Sequence, residues 1–109
     1  MKENTAKNYM TYHPAADVLE MENGWSLFLD VPGAVNEMLD IDVEDNVLRI
    51  KAESMLTQKN MTVRYERAFQ LSDEVDAGGI KAELKDGVLH LMMPKAESAK
   101  PRKIKVLTA

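Results

Sequence analysis

Apolar side chains return at every second position along most of this chain, and nowhere sustain the 3.6-residue spacing of a helix. Trp25, Leu27, Leu29 and Val31 alternate with Ser26, Phe28 and Asp30, which predicts a strand with one nearly apolar face. Pro32-Gly33 ends it, because proline lacks a ladder donor and glycine admits a turn. Leu39, Ile41 and Val43 then alternate strictly with Asp40, Asp42 and Glu44. Asp45-Asn46 is a turn pair, and Leu48, Ile50 and Ala52 alternate with Arg49 and Lys51. This predicts a β-hairpin with one wet face.

Residues 54–60 read as a polar connection. Beyond them Met61, Val63, Tyr65, Phe69 and Leu71 share one face of a longer strand, interrupted by Arg67. Residues 72–79 form a loop, and Ile80, Ala82 and Leu84 alternate with Lys81, Glu83 and Lys85. Asp86-Gly87 is the strongest hairpin signal in the chain, since a two-residue type I′ turn needs φ > 0 twice. Leu89, Leu91 and Met93 continue on an inward face until Pro94.

The two ends read differently. Residues 1–13 are polar around Tyr9, Met10 and Tyr12 and are expected to be a flexible arm, closed by Pro14. Residues 95–103 are a polar linker that includes Pro101, followed by Ile104-Lys105-Val106. In an extended segment Ile104 and Val106 point the same way. They are either the last strand of the chain's own sheet or an anchor entering two apolar pockets while its backbone joins a sheet edge.

About seven short strands, turn signals between them and no long helix predict an all-β antiparallel sandwich. The 109 residues fit one domain. The expected organisation is an arm over 1–13, a sandwich over 14–94 and an extension over 95–109.

Composition narrows the function. No stretch approaches the ~20 apolar residues of a membrane helix. Residues 1–14 lack the apolar core of a secretory signal. The chain has no cysteine, which removes disulfides and thiolate chemistry. A cytoplasmic protein with no membrane partner is expected. The net charge of −4 argues against nucleic acid as a partner. The charge is uneven: residues 30–45 carry acids and no base, whereas residues 95–109 carry Lys95, Lys100, Arg102, Lys103 and Lys105 against Glu97.

Enzyme chemistry finds little support. His13 and His90 are the only histidines, and neither has a second ligand at metal spacing. His90 falls on an outward strand face. Ser26, Ser54, Ser72 and Ser98 sit in no nucleophile elbow, and no phosphate-binding Gly-Lys-Ser/Thr run occurs. Asp40, Asp42 and Glu44 alternate with core residues, and the following residues lack the glycine and glutamate spacing of a calcium loop. No catalytic residue, metal site or cofactor is expected. The eight methionines include Met55, Met61, Met92 and Met93. Their flexible thioethers suit surfaces that accept many shapes, and equally serve as core filler.

Four segments in order resemble the alpha-crystallin domain of the small heat shock protein family. They are Asp30-Val31-Pro32-Gly33 with the strand from Leu39 and Asn46-Val47-Leu48-Arg49-Ile50; Tyr65-Glu66-Arg67-Ala68-Phe69-Gln70-Leu71; Ala82-Glu83-Leu84-Lys85-Asp86-Gly87-Val88-Leu89; and Ile104-Lys105-Val106. Together they cover residues 14–107. The resemblance implies an immunoglobulin-like sandwich of about seven to eight strands and an ATP-independent chaperone that holds partly unfolded proteins. It implies a C-terminal anchor, Ile104 and Val106, docking in a groove formed from Leu39, Ile41, Val43, Ile80, Ala82, Leu84, Val88 and Leu89. The basic tail beside the acidic 37–45 strand is expected to be steered by charge more than held by it, and loosened by salt.

The resemblance also implies self-association. The connection from Glu53 to Thr62 is shorter than in the many bacterial and plant relatives that swap a strand from this position. Either the Met61–Leu71 strands pair, with Tyr65, Arg67 and Phe69 at the dimer interface, or the chain is a weak dimer or monomer. Arg67, interrupting an apolar face, is expected to pair with an acid. Two alternatives share the same fold: a non-catalytic co-chaperone adaptor, and a subunit that co-assembles with a longer small heat shock protein.

Overall fold

The structure, a computed structural model, describes residues 8–100 and 103–107. Eight strands run in order through the described residues: β1 (Tyr9–Tyr12), β2 (Ala16–Met21), β3 (Gly24–Asp30), β4 (Ala34–Glu44), β5 (Val47–Gln58), β6 (Met61–Gln70), β7 (Lys81–Lys85) and β8 (Val88–Pro94). They form two four-stranded sheets, ordered β1-β6-β5-β4 and β2-β3-β8-β7. The chain is thus an all-β sandwich, and every named strand pairing is antiparallel except that of β1 with β6.

Period-two alternation builds the core. Leu27 and Leu29 of β3 lie opposite Leu91 and Leu89 of β8 on the inner face of one sheet. Leu48, Ile50 and Ala52 of β5, with Val63 and Tyr65 of β6, face them from the other. Leu27, Leu29, Val31, Leu48, Leu89 and Leu91 are fully buried. Each buried leucine contributes about 1.5–3 kcal/mol relative to exposure, so a few of them dominate the stability of a domain this small.

The outer face of the β4-β5-β6 sheet is a chequerboard of charge. Asp40 lies opposite Lys51, which lies opposite Glu66, and Asp42 lies opposite Arg49. Lys51 Nζ and Glu66 Oε1 are 3.9 Å apart, with the lysine exposed and the glutamate half-buried, so the pair specifies register more than it stabilises.

Three hairpins close through two residues that both have positive φ: Asp45-Asn46 (53°, 62°), Lys59-Asn60 (52°, 64°) and Asp86-Gly87 (51°, 77°). This is the turn twist that matches right-handed strands. The middle one corrects the expected connection over residues 54–60. β5 continues to Gln58, with a register shift between Glu53 and Thr57, and β6 begins at Met61. The expected arm is also partly structured. Residues 9–12 form β1, whereas residues 1–7 lie outside the described residues. Ile104-Lys105-Val106 belongs to no strand, which removes the reading of it as the last strand of the chain's own sheet.

Candidate assembly groove and sheet edges

A sandwich of two four-stranded sheets has four edge strands. β4 and β7 each end a sheet, and so do β1 and β2. At such an edge the inner-face side chains are covered by the opposite sheet and by nothing laterally. That is why Leu39, Ile41 and Val43 of β4 are only half-buried although they share a face with core residues. Across the gap Ile80 and Leu84 are half-buried and pack against the same core, and Ala82 is exposed. A cleft of about 410 Å3 opens between Ile41, Asp42, Val43, Leu48, Ala77, Gly78 and Ile80.

The eight expected groove residues are therefore not equivalent. Ile41, Val43 and Ile80 come together at the cleft, whereas Leu39 of β4 and Ala82 and Leu84 of β7 lie on the same two edge strands outside its lining. Leu89 is completely buried, opposite Leu84 in the ladder, and belongs to the core beneath the edge. Val88 pairs with Asp30 and Lys85 and alternates with Leu89, which puts its side chain on the outer face of the sheet, away from the cleft. Asp40 and Asp42 of β4 lie opposite Lys51 and Arg49, and Asp42 also borders the cleft.

The residues expected to enter the groove are free. Ile104, Val106 and Leu107 are 83%, 80% and 84% exposed, and residues 103–107 carry no secondary structure.

Tyr65, Arg67 and Phe69 lie on the inner face of β6. Tyr65 is buried, and its phenol donates to the Pro32 carbonyl at 2.8 Å; the Ser54 hydroxyl donates to the same oxygen at 2.9 Å. Burial raises the Tyr65 pKa above 10, the Ser54 hydroxyl partly offsets this, and the Tyr12 phenol adds a smaller rise. Arg67 finds no acid within ion-pair distance among the described residues. Its guanidinium donates to the Pro14 carbonyl and lies over the Phe69 ring, 4.6 Å from the centroid. The β6 edge from Thr62 to Tyr65 is occupied by β1 of the same chain. Pairing of two Met61–Leu71 strands across copies would require that segment to leave.

Two features escaped the sequence pattern. β1 holds aromatic and β-branched residues in Tyr9-Met10-Thr11-Tyr12, a short strand signal hidden in a polar stretch. β2 sets Val18 beside Leu19, which breaks strict alternation; both are exposed at an edge, as is Met21. His90, on the outer face as expected, is nonetheless fixed: it stacks on Phe28 at 4.3 Å and shares a 3.0 Å hydrogen bond with Ser26. Among the described residues no group of three His, Cys, Asp or Glu side chains could hold a metal ion, and no helix is long and apolar enough to cross a membrane.

The sandwich and its sequence have relatives. The Hsp20/alpha crystallin family profile matches residues 17–107. Small heat shock protein C2 of Rickettsia felis is 34% identical over 113 residues, covering 94% of this chain and 71% of that protein. The 18 kDa antigen 1 of Mycobacterium avium is 41% identical over 85 residues, covering 71% of this chain and 58% of that protein. The chain thus spans about three-fifths to seven-tenths of the length of these relatives. A small heat-shock protein from Xylella fastidiosa, described as having a distinct high order structure, superposes with a TM-score of 0.68 at 28% identity, covering 89% of this chain and 98% of that one. HspA of Xanthomonas axonopodis superposes at 0.64 with 26% identity, over 77% and 94% of the two chains. The chain belongs to the Hsp20/alpha-crystallin family of small heat shock proteins, which are non-enzymatic chaperones.

Proposed function

We propose that this chain is an ATP-independent holding chaperone of the cytoplasm. It binds partly unfolded proteins through exposed apolar surface, and it self-assembles by seating Ile104 and Val106 in the β4–β7 cleft of another copy. No cofactor, metal, nucleic acid or membrane takes part. The assembly mode is supported by the presence together of an exposed, strand-free Ile104-x-Val106 segment and an edge that no strand covers among the described residues. In strand addition, backbone bonds supply affinity and alternate side chains select the pocket. Family membership supports the holding activity, and the exposed Val18, Leu19, Met21, Met38, Met55 and Leu56 supply surface for it.

The test is light scattering of an aggregating model protein with purified chain at increasing ratio and no ATP. Suppression by the wild type is expected. An Ile104→Ala/Val106→Ala variant is expected to form smaller assemblies. A folded wild type that suppresses nothing would count against the holding reading.

One observation favours a second reading, co-assembly with a longer small heat shock protein. β5 and β6 close through a two-residue turn, and the outer edge of β2 is unpaired among the described residues. Mixing with such a protein and measuring the mass of the product distinguishes the two.

A further inference from the structure

We propose that the β6 edge is a strand-accepting site for extended segments of unfolded polypeptide that carry an aromatic residue or methionine at alternate positions, and that β1 is its removable occupant. This deepens the holding reading and rests on it for its role, though not for its test.

β1 shows what the site takes. Met10 and Tyr12 lie opposite Val63 and Tyr65, on the inner face of the ladder. Tyr9 and Thr11 lie on the other face, where the Arg64 guanidinium sits 4.0 Å from the Tyr9 ring centroid and Arg64 Nη2 donates to Thr11 Oγ1 at 3.2 Å. The Tyr9 phenol donates to Glu53 at 3.1 Å, and the Tyr12 phenol donates to Gln58. The Thr62 amide donates to the Asn8 carbonyl at 2.9 Å. Backbone pairing is indifferent to sequence, and rings or thioethers at alternate positions satisfy the rest. Nothing in this contact requires the bound segment to belong to the same chain.

β1 is also the shortest strand among the described residues. It is four residues long and the only parallel strand among the described residues, and Tyr12 is 40% exposed. Beneath it Val63 and Tyr65 are only 5% and 7% exposed. A four-residue edge element paired on one side only opens at lower cost than the sandwich itself. Its departure uncovers apolar side chains and an unpaired backbone edge together.

The edge runs on beyond its occupant. The chain leaves β6 at Pro14, where Arg67 donates to the Pro14 carbonyl, and Arg67–Gln70 have no strand partner on that side among the described residues. There Val18, Trp25, Phe69, Leu71, Val75 and Met93 border an apolar cleft of about 220 Å3. A foreign segment longer than β1 gains both. The β4 and β7 edges are the ones assigned above to the Ile104-x-Val106 tail, and both carry charge: Glu37, Asp40, Asp42 and Glu44 on β4, Lys81 and Lys85 on β7.

The test locks β1 in place. The chain lacks cysteine, so Met10→Cys with Val63→Cys, ladder partners, makes a single possible disulfide in the full chain. The probe is a fluorescent peptide of residues 8–13. It is expected to bind the reduced form, and to bind the oxidised form about tenfold or more weakly, because apparent affinity scales with the fraction of open sites. Equal binding to both forms, or no binding to the reduced form, overturns the proposal. Should this pair fail to fold, Tyr9→Cys with Thr62→Cys locks the same ladder. Aggregation suppression separates the two readings: suppression that is equal in both redox states sinks the edge proposal and leaves the holding activity standing. If neither wild type nor reduced variant suppresses, the holding reading fails, and peptide binding alone decides the site.

Discussion

Tyr65 on β6 and Pro32, just past the end of β3, are joined by a 2.8 Å hydrogen bond that ties one sheet to the other. The phenol is buried and the Pro32 carbonyl also accepts from Ser54 at 2.9 Å, so a single oxygen gathers two strands. Tyr65→Phe keeps the ring and leaves Ser54 in place. It is expected to cost about 0.5–1.5 kcal/mol. In a domain of this size that lowers Tm by roughly 4–8 °C per kcal/mol, read by thermal unfolding. An unchanged Tm would mean that the bond contributes nothing net.

The same residue predicts an alkaline limit. Burial favours the neutral phenol, so the folded pKa lies above the ordinary 10.0. A raised pKa contributes stability that is fully present below the unfolded value and is lost as pH rises through the folded one. Unfolding free energy should therefore fall as pH climbs beyond about 10. The fall should be shallower in Tyr65→Phe. Parallel curves for the two proteins would assign the alkaline loss to other groups.

Gly33 follows Pro32 with φ of +77°, and a Cβ there would stand 2.3 Å from Ser54 Oγ and 2.8 Å from Leu56 Cγ. Gly33→Ala combines left-handed strain of about 1–2 kcal/mol with displacement of the Ser54 hydroxyl from Pro32. A larger drop in Tm than for Tyr65→Phe is expected in the same melting experiment. A smaller drop would show that the turn relaxes to another conformation without cost.

The features legible in the sequence are those with strict alternation. β3, the β4–β5 hairpin, the inner face of β6 and the β7–β8 hairpin were readable because a buried face imposes period two and Asp86-Gly87 marks its turn. What escaped obeys weaker constraints. β1 and β2 are edge strands whose side chains are half-wet, so Val18-Leu19 and Tyr9–Tyr12 carry no clean alternation. The Lys59-Asn60 turn was hidden because lysine is a poor left-handed residue and the flanking Met55, Leu56, Thr57 and Gln58 are all exposed. In the groove, alternation alone separates Val88 from Leu89 once the ladder register is known, and register is a property of two strands.

The Lys59-Asn60 turn gives a stabilising prediction. Lys59 holds φ of 52° and Asn60 of 64°, a twist that Asn-Gly adopts with less strain. Lys59→Asn with Asn60→Gly is expected to raise stability by about 0.5–1 kcal/mol, seen as a higher Tm. A lower Tm would show that the Lys59 side chain contributes a contact worth more than the strain relieved.

Assembly should depend on the anchor more than on charge. Asp40 and Asp42 lie opposite Lys51 and Arg49, so their field is partly offset within the sheet, and Ile41 and Val43 line the cleft. Ile104 and Val106 are 83% and 80% exposed, and seating each would contribute up to about 1.5–3 kcal/mol. Lys103 and Lys105 of the tail are exposed, and salt screens such charges beyond about 8–10 Å. They therefore act on encounter more than on residence. Ile104→Ala/Val106→Ala is expected to reduce assembly mass sharply at every ionic strength, whereas high salt loosens the wild type by a smaller step. Static light scattering after size separation, at low and high salt, measures both. If salt alone dissociated the wild type as fully as the double substitution does, charge would hold the tail. If neither treatment changed the mass, the tail would not be the assembly element.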